Sequence, residues 1–246
     1  MLLLADIGFS LPAENSLLSL INLLMEKGKS IEASKGKYIL LEDPSGASLS
    51  AQVTSKNQII GILPFYRGES KFPVAIVKKV LRSETELEGA FHAWAVPQEQ
   101  NNPESGLFPF VFDLPDYYSY DFKFPFNSEI NLSAFATNKP EIFADENRFK
   151  ENPENYAMKM GVKSFIPTGL FEADEQDGPT SRALITGKIT KVSLKKNTIG
   201  KGEFIHLLTE TSGGETDMLI AKELLPVLPK PGNIISGKFW LCGKVN

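Results

Sequence analysis

Histidine, cysteine and closely spaced carboxylates are the side chains that most often carry chemistry. The chain holds two histidines, His92 and His206, and one cysteine, Cys242. A zinc site of nitrogen and sulfur ligands would use nearly all of them, and their separations match no ligand spacing. Glu88 and His92 would share a face one turn apart on a helix, as ligand pairs do; on a strand they lie about 13 Å apart. Ser83 and Glu86 have the spacing of a helix capping box, yet Phe91, Ala93 and Ala95 alternate, and residues 84–96 are read as a strand. Glu84, Glu86 and Glu88 then form an acidic strip, and no metal is assigned. Cys242 and His206 could pair as nucleophile and base, but Cys242 sits in the apolar run Phe239–Gly243, where a buried thiol is inert. The two SxxK strings, Ser34–Lys37 and Ser193–Lys196, lack their partner motifs, and no GxSxG elbow accompanies them. Phosphate cradles of the GxxxxGK[ST] and GxGxxG types are also missing. No catalytic residue and no cofactor is therefore expected.

Binding chemistry has more to offer. Nine of the 25 aromatic residues fall within 107–126. Tyr118, Tyr120, Phe122, Phe124 and Phe126 alternate with Ser119, Asp121, Lys123 and Pro125, which on an extended chain places five rings on one face. Such a face could stack on a base, a sugar or a peptide. Five exposed rings would be a solubility liability, and Asp113, Asp116 and Asp121 repel phosphates, so a core or protein contact is the preferred reading. Pro109, Pro115 and Pro125 suit an edge strand or an extended arm.

Charge is unevenly distributed. The net charge is −4, yet residues 182–246 carry ten Lys and Arg against five Asp and Glu. Lys188, Lys191, Lys195, Lys196 and Lys201, with the rings of Phe204 and His206, form a candidate ligand face there. The N-terminus MLLLADIGF has no basic region before Asp6, and the apolar stretch 17–25 is too short to span a bilayer. A cytoplasmic protein with no membrane partner is expected.

The elements that must position these residues follow from periodicity. Leu17, Leu18, Leu20, Ile21, Leu24 and Met25 recur at helical spacing and predict a helix over 12–27, closed by Lys27-Gly28, that covers a sheet. Strands are expected at 36–42, 47–53, 58–65 and 72–82, with Asp43-Pro44-Ser45-Gly46 as a hairpin turn. Polar, turn-rich stretches at 97–106 and 172–181 read as linkers. The second is acidic, coincides with the change of charge, and divides a domain 1–171, with a possible sub-boundary at 97–106, from a unit 182–246.

The helix and the strands YILLEDPSG, ASLSAQV and QIIGILPFY of segment 12–66 resemble half of a glyoxalase/bleomycin-resistance module of the vicinal-oxygen-chelate type. That resemblance implies one helix packed on a curved sheet and, in metal-dependent members, histidine and glutamate ligands. Segment 12–66 contains no histidine, so no ligand carries over. Segment 182–243 resembles an OB-type barrel: a long strand RALITGKITKVSL with Gly187 at a bend, then FIHLLT, a Gly-Gly link, TDMLI, a short AKELLP element, and GNIISGKFWLCGKV. The resemblance implies binding of single-stranded nucleic acid or oligosaccharide on strands two and three. The expected protein is α+β and mostly antiparallel, with an N-terminal curved sheet and covering helix followed by a small OB-like barrel. The expected function is binding or scaffolding, with a protein partner or self-association. The alternatives are a single-strand nucleic-acid binder acting through 182–246 and a small-ligand binder or enzyme with a glyoxalase-like pocket.

Overall fold

A computed structural model describes residues 3–9, 16–82, 87–100, 102–119, 122–154, 160–171 and 178–245. These form two α-helices, α1 (Ser16–Lys27) and α2 (Glu146–Glu151), and fourteen strands in a mostly antiparallel arrangement. No helix among the described residues is long and apolar enough to cross a membrane.

The first four strands, β1 (Lys29–Ala33), β2 (Gly36–Glu42), β3 (Ala47–Thr54) and β4 (Ile59–Tyr66), pair in sequence order as one antiparallel sheet. The β2–β3 turn closes as expected: Gly46 takes φ +96° and donates its N–H to Asp43 O, while Asp43 Oδ1 accepts from Ser45 N at 2.9 Å. β3 alternates Leu49, Ala51 and Val53 with Ser48, Ser50 and Gln52, and all six are buried. A strand buried on both faces must bond its polar row, and Ser50 Oγ does so to Pro115 O. Helix α1 covers part of this sheet through Leu20 and Leu24, and a Cβ at Gly28 would collide with Ile39. Its apolar stripe is only half used, because Leu17, Leu18 and Met25 stay exposed.

The remaining strands are β5 (Phe72–Leu81), β6 (Gly89–Ala95), β7 (Pro109–Asp113), β8 (Phe126–Ala136), β9 (Glu141–Phe143), β10 (Ser164–Ile166), β11 (Arg182–Lys196), β12 (Glu203–Thr211), β13 (Gly214–Ala221) and β14 (Ile234–Val245). Eight of them pair in a closed circuit, β11–β12–β13–β8–β5–β6–β7–β14 and back to β11, which makes a barrel. β8 and β14 also pair with each other, antiparallel, from Ile130↔Val245 to Ala134↔Leu241. The C-terminal strands do not close on their own: β8 stands between β13 and β14, running parallel to β13. Strands from both sides of segment 172–181 thus share one sheet. Residues 172–177 of that segment lie outside the described residues, and 97–106 links the adjacent antiparallel strands β6 and β7.

Inward side chains of the barrel, among them Phe72, Phe91, Phe110, Phe112, Ile205, Met218 and Phe239, form one apolar core. Outward side chains Phe135, Phe204, Leu219, Trp240 and Cys242 pack instead into the cluster of the N-terminal sheet. The period of two in each strand therefore feeds two cores, one inside the barrel and one between barrel and sheet.

Residues 84–96 include the expected strand, β6, while 83–86 lie outside the described residues. The aromatic run does not extend as one strand. Tyr117–Ser119 is a 3-10 turn held by Ser119 N to Asp116 O, residues 122–125 are outside any strand, and β8 begins only at Phe126. Prolines 115 and 125 remove the donors that a continuous ladder would need.

Candidate functional site

The structure places four of the five predicted aromatic binders in packing roles. Tyr118, Phe122, Phe124 and Phe126 are half-buried against the barrel core, with Phe91 5.7 Å from Phe124 and Phe122 4.4 Å from Phe126, ring centre to ring centre. Tyr120 lies outside the described residues. Tyr118 is also anchored through its backbone N–H, which donates to Tyr38 Oη at 2.9 Å.

The basic face of the C-terminal strands is divided. With a bulge in β11 between Ile189 and Lys191, Lys191 and Lys195 share the face of Phe204 and His206, Lys195 directly across from Phe204 and Lys191 across from Leu208 on β12. Lys191 pairs with Glu69 at 2.7 Å, and Lys195 donates to Ser45 O at 3.1 Å while lying 5.3 Å from the Tyr66 ring centre. Burial, first of all, lowers the Lys195 pKa. Phe204 and His206 are buried and present no ring to solvent, which corrects the expectation of a stacking face. The N-terminal sheet covers them, and nothing in the local sequence of β12 records that. Lys188 lies on the same face but at its far end, opposite Glu210 and beyond Leu208, Lys196 takes the opposite face of β11, and Lys201 forms a bridge with Phe9.

At the centre of that cluster His206 Nε2 lies 2.7 Å from Asp217 Oδ1, with the two side chains 2% and 0% exposed. Asp217 Oδ2 accepts from Ser70 N at 3.0 Å, and the Tyr66 ring lies 4.9 Å from the imidazole. Burial pushes the Asp217 pKa up, but the bonds from His206 and Ser70 outweigh it and hold the carboxyl below its ordinary value. A His–Asp pair orients a general base where a nucleophile can reach it. Here the pair is sealed between sheet and barrel, and its bonds tie the link Arg67–Lys71 to β13, so the arrangement joins the two layers.

An open site lies on the same seam. A cleft of about 350 Å³ is lined by Leu3, Ile62, Leu63, Pro64, Thr137, Arg182 and Trp240. Arg182 and Trp240 are direct cross-strand partners on β11 and β14 and project to the same face. The indole is fixed on two sides. Its Nε1–H donates to Asp113 Oδ2 at 2.6 Å, and Phe135 packs on it with ring centres 5.1 Å apart. Asp113 is itself held, since Oδ1 accepts from Arg82 Nη2 at 2.8 Å and from Ser181 Oγ at 2.9 Å. Arg82 in turn donates to Pro179 O at 2.5 Å. Four sequence-distant segments therefore immobilise one ring. Sequence reasoning read Trp240 only as part of an apolar strand, and no local pattern links it to Arg82, Asp113 or Ser181.

A larger depression of about 740 Å³ lies between β9 and Leu225–Pro229. Its wall includes the exposed side chains Val227, 82% exposed, and Leu228, so it is less pre-formed than the Trp240 cleft. No group of three or more potential metal-ligating side chains occurs among the described residues.

Comparison with protein-family models, curated proteins and solved structures finds no match.

Proposed function

We propose that the protein is a binding protein whose contact site is the Trp240 cleft, where the edge of the N-terminal sheet meets the barrel. The observation that supports it is the immobilised indole: a large amphipathic ring, held by Asp113 and Phe135 before any ligand arrives, loses little freedom on binding. The cleft is concave, mostly apolar and located between structural layers, as small-ligand and side-chain sites are. β4 forms the opposite wall and is an edge strand, but Pro64 lacks a backbone donor, so strand addition is disfavoured and side-chain recognition is favoured.

The OB-type likeness of the C-terminal strands is part of this reading and is supported by the five-strand circuit β11–β12–β13–β8–β14. The glyoxalase-type likeness of 12–66 is supported by α1 packed on the β2–β3–β4 meander. The reading is not extended to single-stranded nucleic acid, because Phe204 and His206 are covered. A cytoplasmic location belongs to the same reading and is supported by the one unpaired, buried cysteine.

The chain has two tryptophans, so its indole N–H spectrum is easily assigned with a Trp94→Phe variant. A panel of small apolar acids, amides, alcohols and short peptides should contain members that move the Trp240 indole resonance at saturable concentrations. A panel in which no member moves it would refute the cleft as a binding site.

A further inference from the structure

We infer that the barrel carries a second contact site, a gap in its wall between β9 and Leu225–Pro229, which one extended peptide segment fills by pairing with the free edge of β9. β8 and β9 follow each other along one side of β14: Ala134 pairs with Leu241, Thr137 N donates to Lys238 O, and Glu141 pairs with Ser236. β13 lies on the other edge of β8. The chain that leaves β13 does not go on to pair with β9; Leu225–Pro229 instead forms the far wall of the depression of about 740 Å³, with Val227 82% exposed.

The polarity of the free edge follows from alternation. Leu241 N donates to Ser181 O, so the odd residues of β14 turn their backbone groups to β11 and the even ones to the other side. Glu141 and Phe143 therefore bond to Ser236 and Ile234. Planar trans peptides then turn the Pro140 C=O, both groups of Ile142 and the Ala144 N–H away from β14. None of these groups bonds to a described residue, whereas Ala144 O accepts from Asn233 Nδ2 at 2.8 Å. Donors and acceptors at strand spacing beside a groove recognise extended backbone. The occupant is a free segment and not the β9 of a second copy, because that strand carries β14 on its other edge, where this gap has its far wall. Side chains set its pattern. Ile142 packs on the barrel core, while Lys139 and Glu141 are exposed on the opposite face. In an antiparallel segment the residue opposite Ile142 is apolar, the next lies opposite Glu141 and is basic, and the residue two further on lies opposite Lys139 and is acidic.

The probe is acetyl-Ile-Val-Arg-Val-Glu-amide, titrated against the whole chain while the Ile142 amide resonance is followed. Its controls are the charge-exchanged acetyl-Ile-Val-Glu-Val-Arg-amide and the first peptide N-methylated at its first valine, which lacks the donor to Ile142 O. The first peptide should move the Ile142 amide saturably and bind about tenfold more tightly than either control, through its charge pairs and through the backbone bond. Glu141→Lys, at an exposed position, should erase the preference between the two charge patterns. An Ile142 amide that no peptide moves, equal affinity of the N-methylated peptide, or a charge preference that survives Glu141→Lys would overturn the inference. Peptides that move the Trp240 indole and not the Ile142 amide would overturn it too, with the Trp240 cleft still a binding site.

Discussion

Replacing Asp6 with asparagine should stabilise the protein above neutral pH and leave it nearly unchanged in mild acid. Asp6 lies in the short 3-10 turn Ala5–Ile7 and is 3% exposed, among the buried side chains Leu4, Ile7 and Phe9. Its Oδ1 accepts from Ala221 N at 2.7 Å, which pins the N-terminal segment to the end of β13. Burial dominates, with a smaller contribution from nearby Glu223, and outweighs the Ala221 bond, so the pKa rises from 3.8 to about 7. A carboxyl raised in the folded state stabilises fully below its unfolded pKa, and that contribution is lost as pH rises toward the folded value. The loss spans 3.8 to about 7, where each pH unit is worth about 1.4 kcal/mol, so the total is about 4 kcal/mol as an upper bound. The asparagine amide keeps an oxygen that accepts from Ala221 and has no charge to desolvate. Urea unfolding of both proteins between about pH 4 and about pH 8 should give a difference near zero at the acid end and about 2–4 kcal/mol in favour of Asp6→Asn at the alkaline end. A pH-independent difference, or a variant less stable than the original at the alkaline end, would refute the reasoning.

Asp217→Ala should cost about 3–5 kcal/mol in urea unfolding, because it leaves the buried His206 ring without its partner. Since the Asp217 carboxyl is held low in the folded chain, its stabilisation is present above its ordinary value of 3.8 and lost as pH falls below it; the variant should lack that acid limb. Gly68→Ala should lower the thermal midpoint sharply, at a cost of about 2 kcal/mol or more, because the added Cβ collides with the Asp217 carboxylate. Cys242 is buried, and its thiol pKa is raised chiefly by desolvation, with Asp113 and Asp116 adding to it. It should react with a disulfide reagent at a rate limited by unfolding, and fast labelling of the native chain would contradict its placement.

Local pattern carried the elements well where neighbours in sequence are also neighbours in space. The hairpin β2–β3, the turn Asp43–Gly46 and strands β4 and β5 answer to alternation and turn chemistry, which act over a few residues. The aromatic run misled because alternation in sequence persists through 122–126 as alternating burial, although no ladder forms there. The rings are needed to close the core around Phe91, and that demand, not strand geometry, spaces them.

The sequence by itself determined a mostly antiparallel β protein, the first helix, the strands β2 to β6 though not β1, and the buried cysteine. Only the tertiary structure decided that β8 inserts between β13 and β14, that Phe204 and His206 lie beneath another sheet, and that Arg82, Asp113, Ser181 and Trp240 meet. The physical reason is range. Dihedral preference and apolar period are local and can be read along the chain. Which outward face of a barrel strand is covered, and which polar groups must then find partners, depends on segments more than a hundred residues apart, such as Asp113 and Trp240.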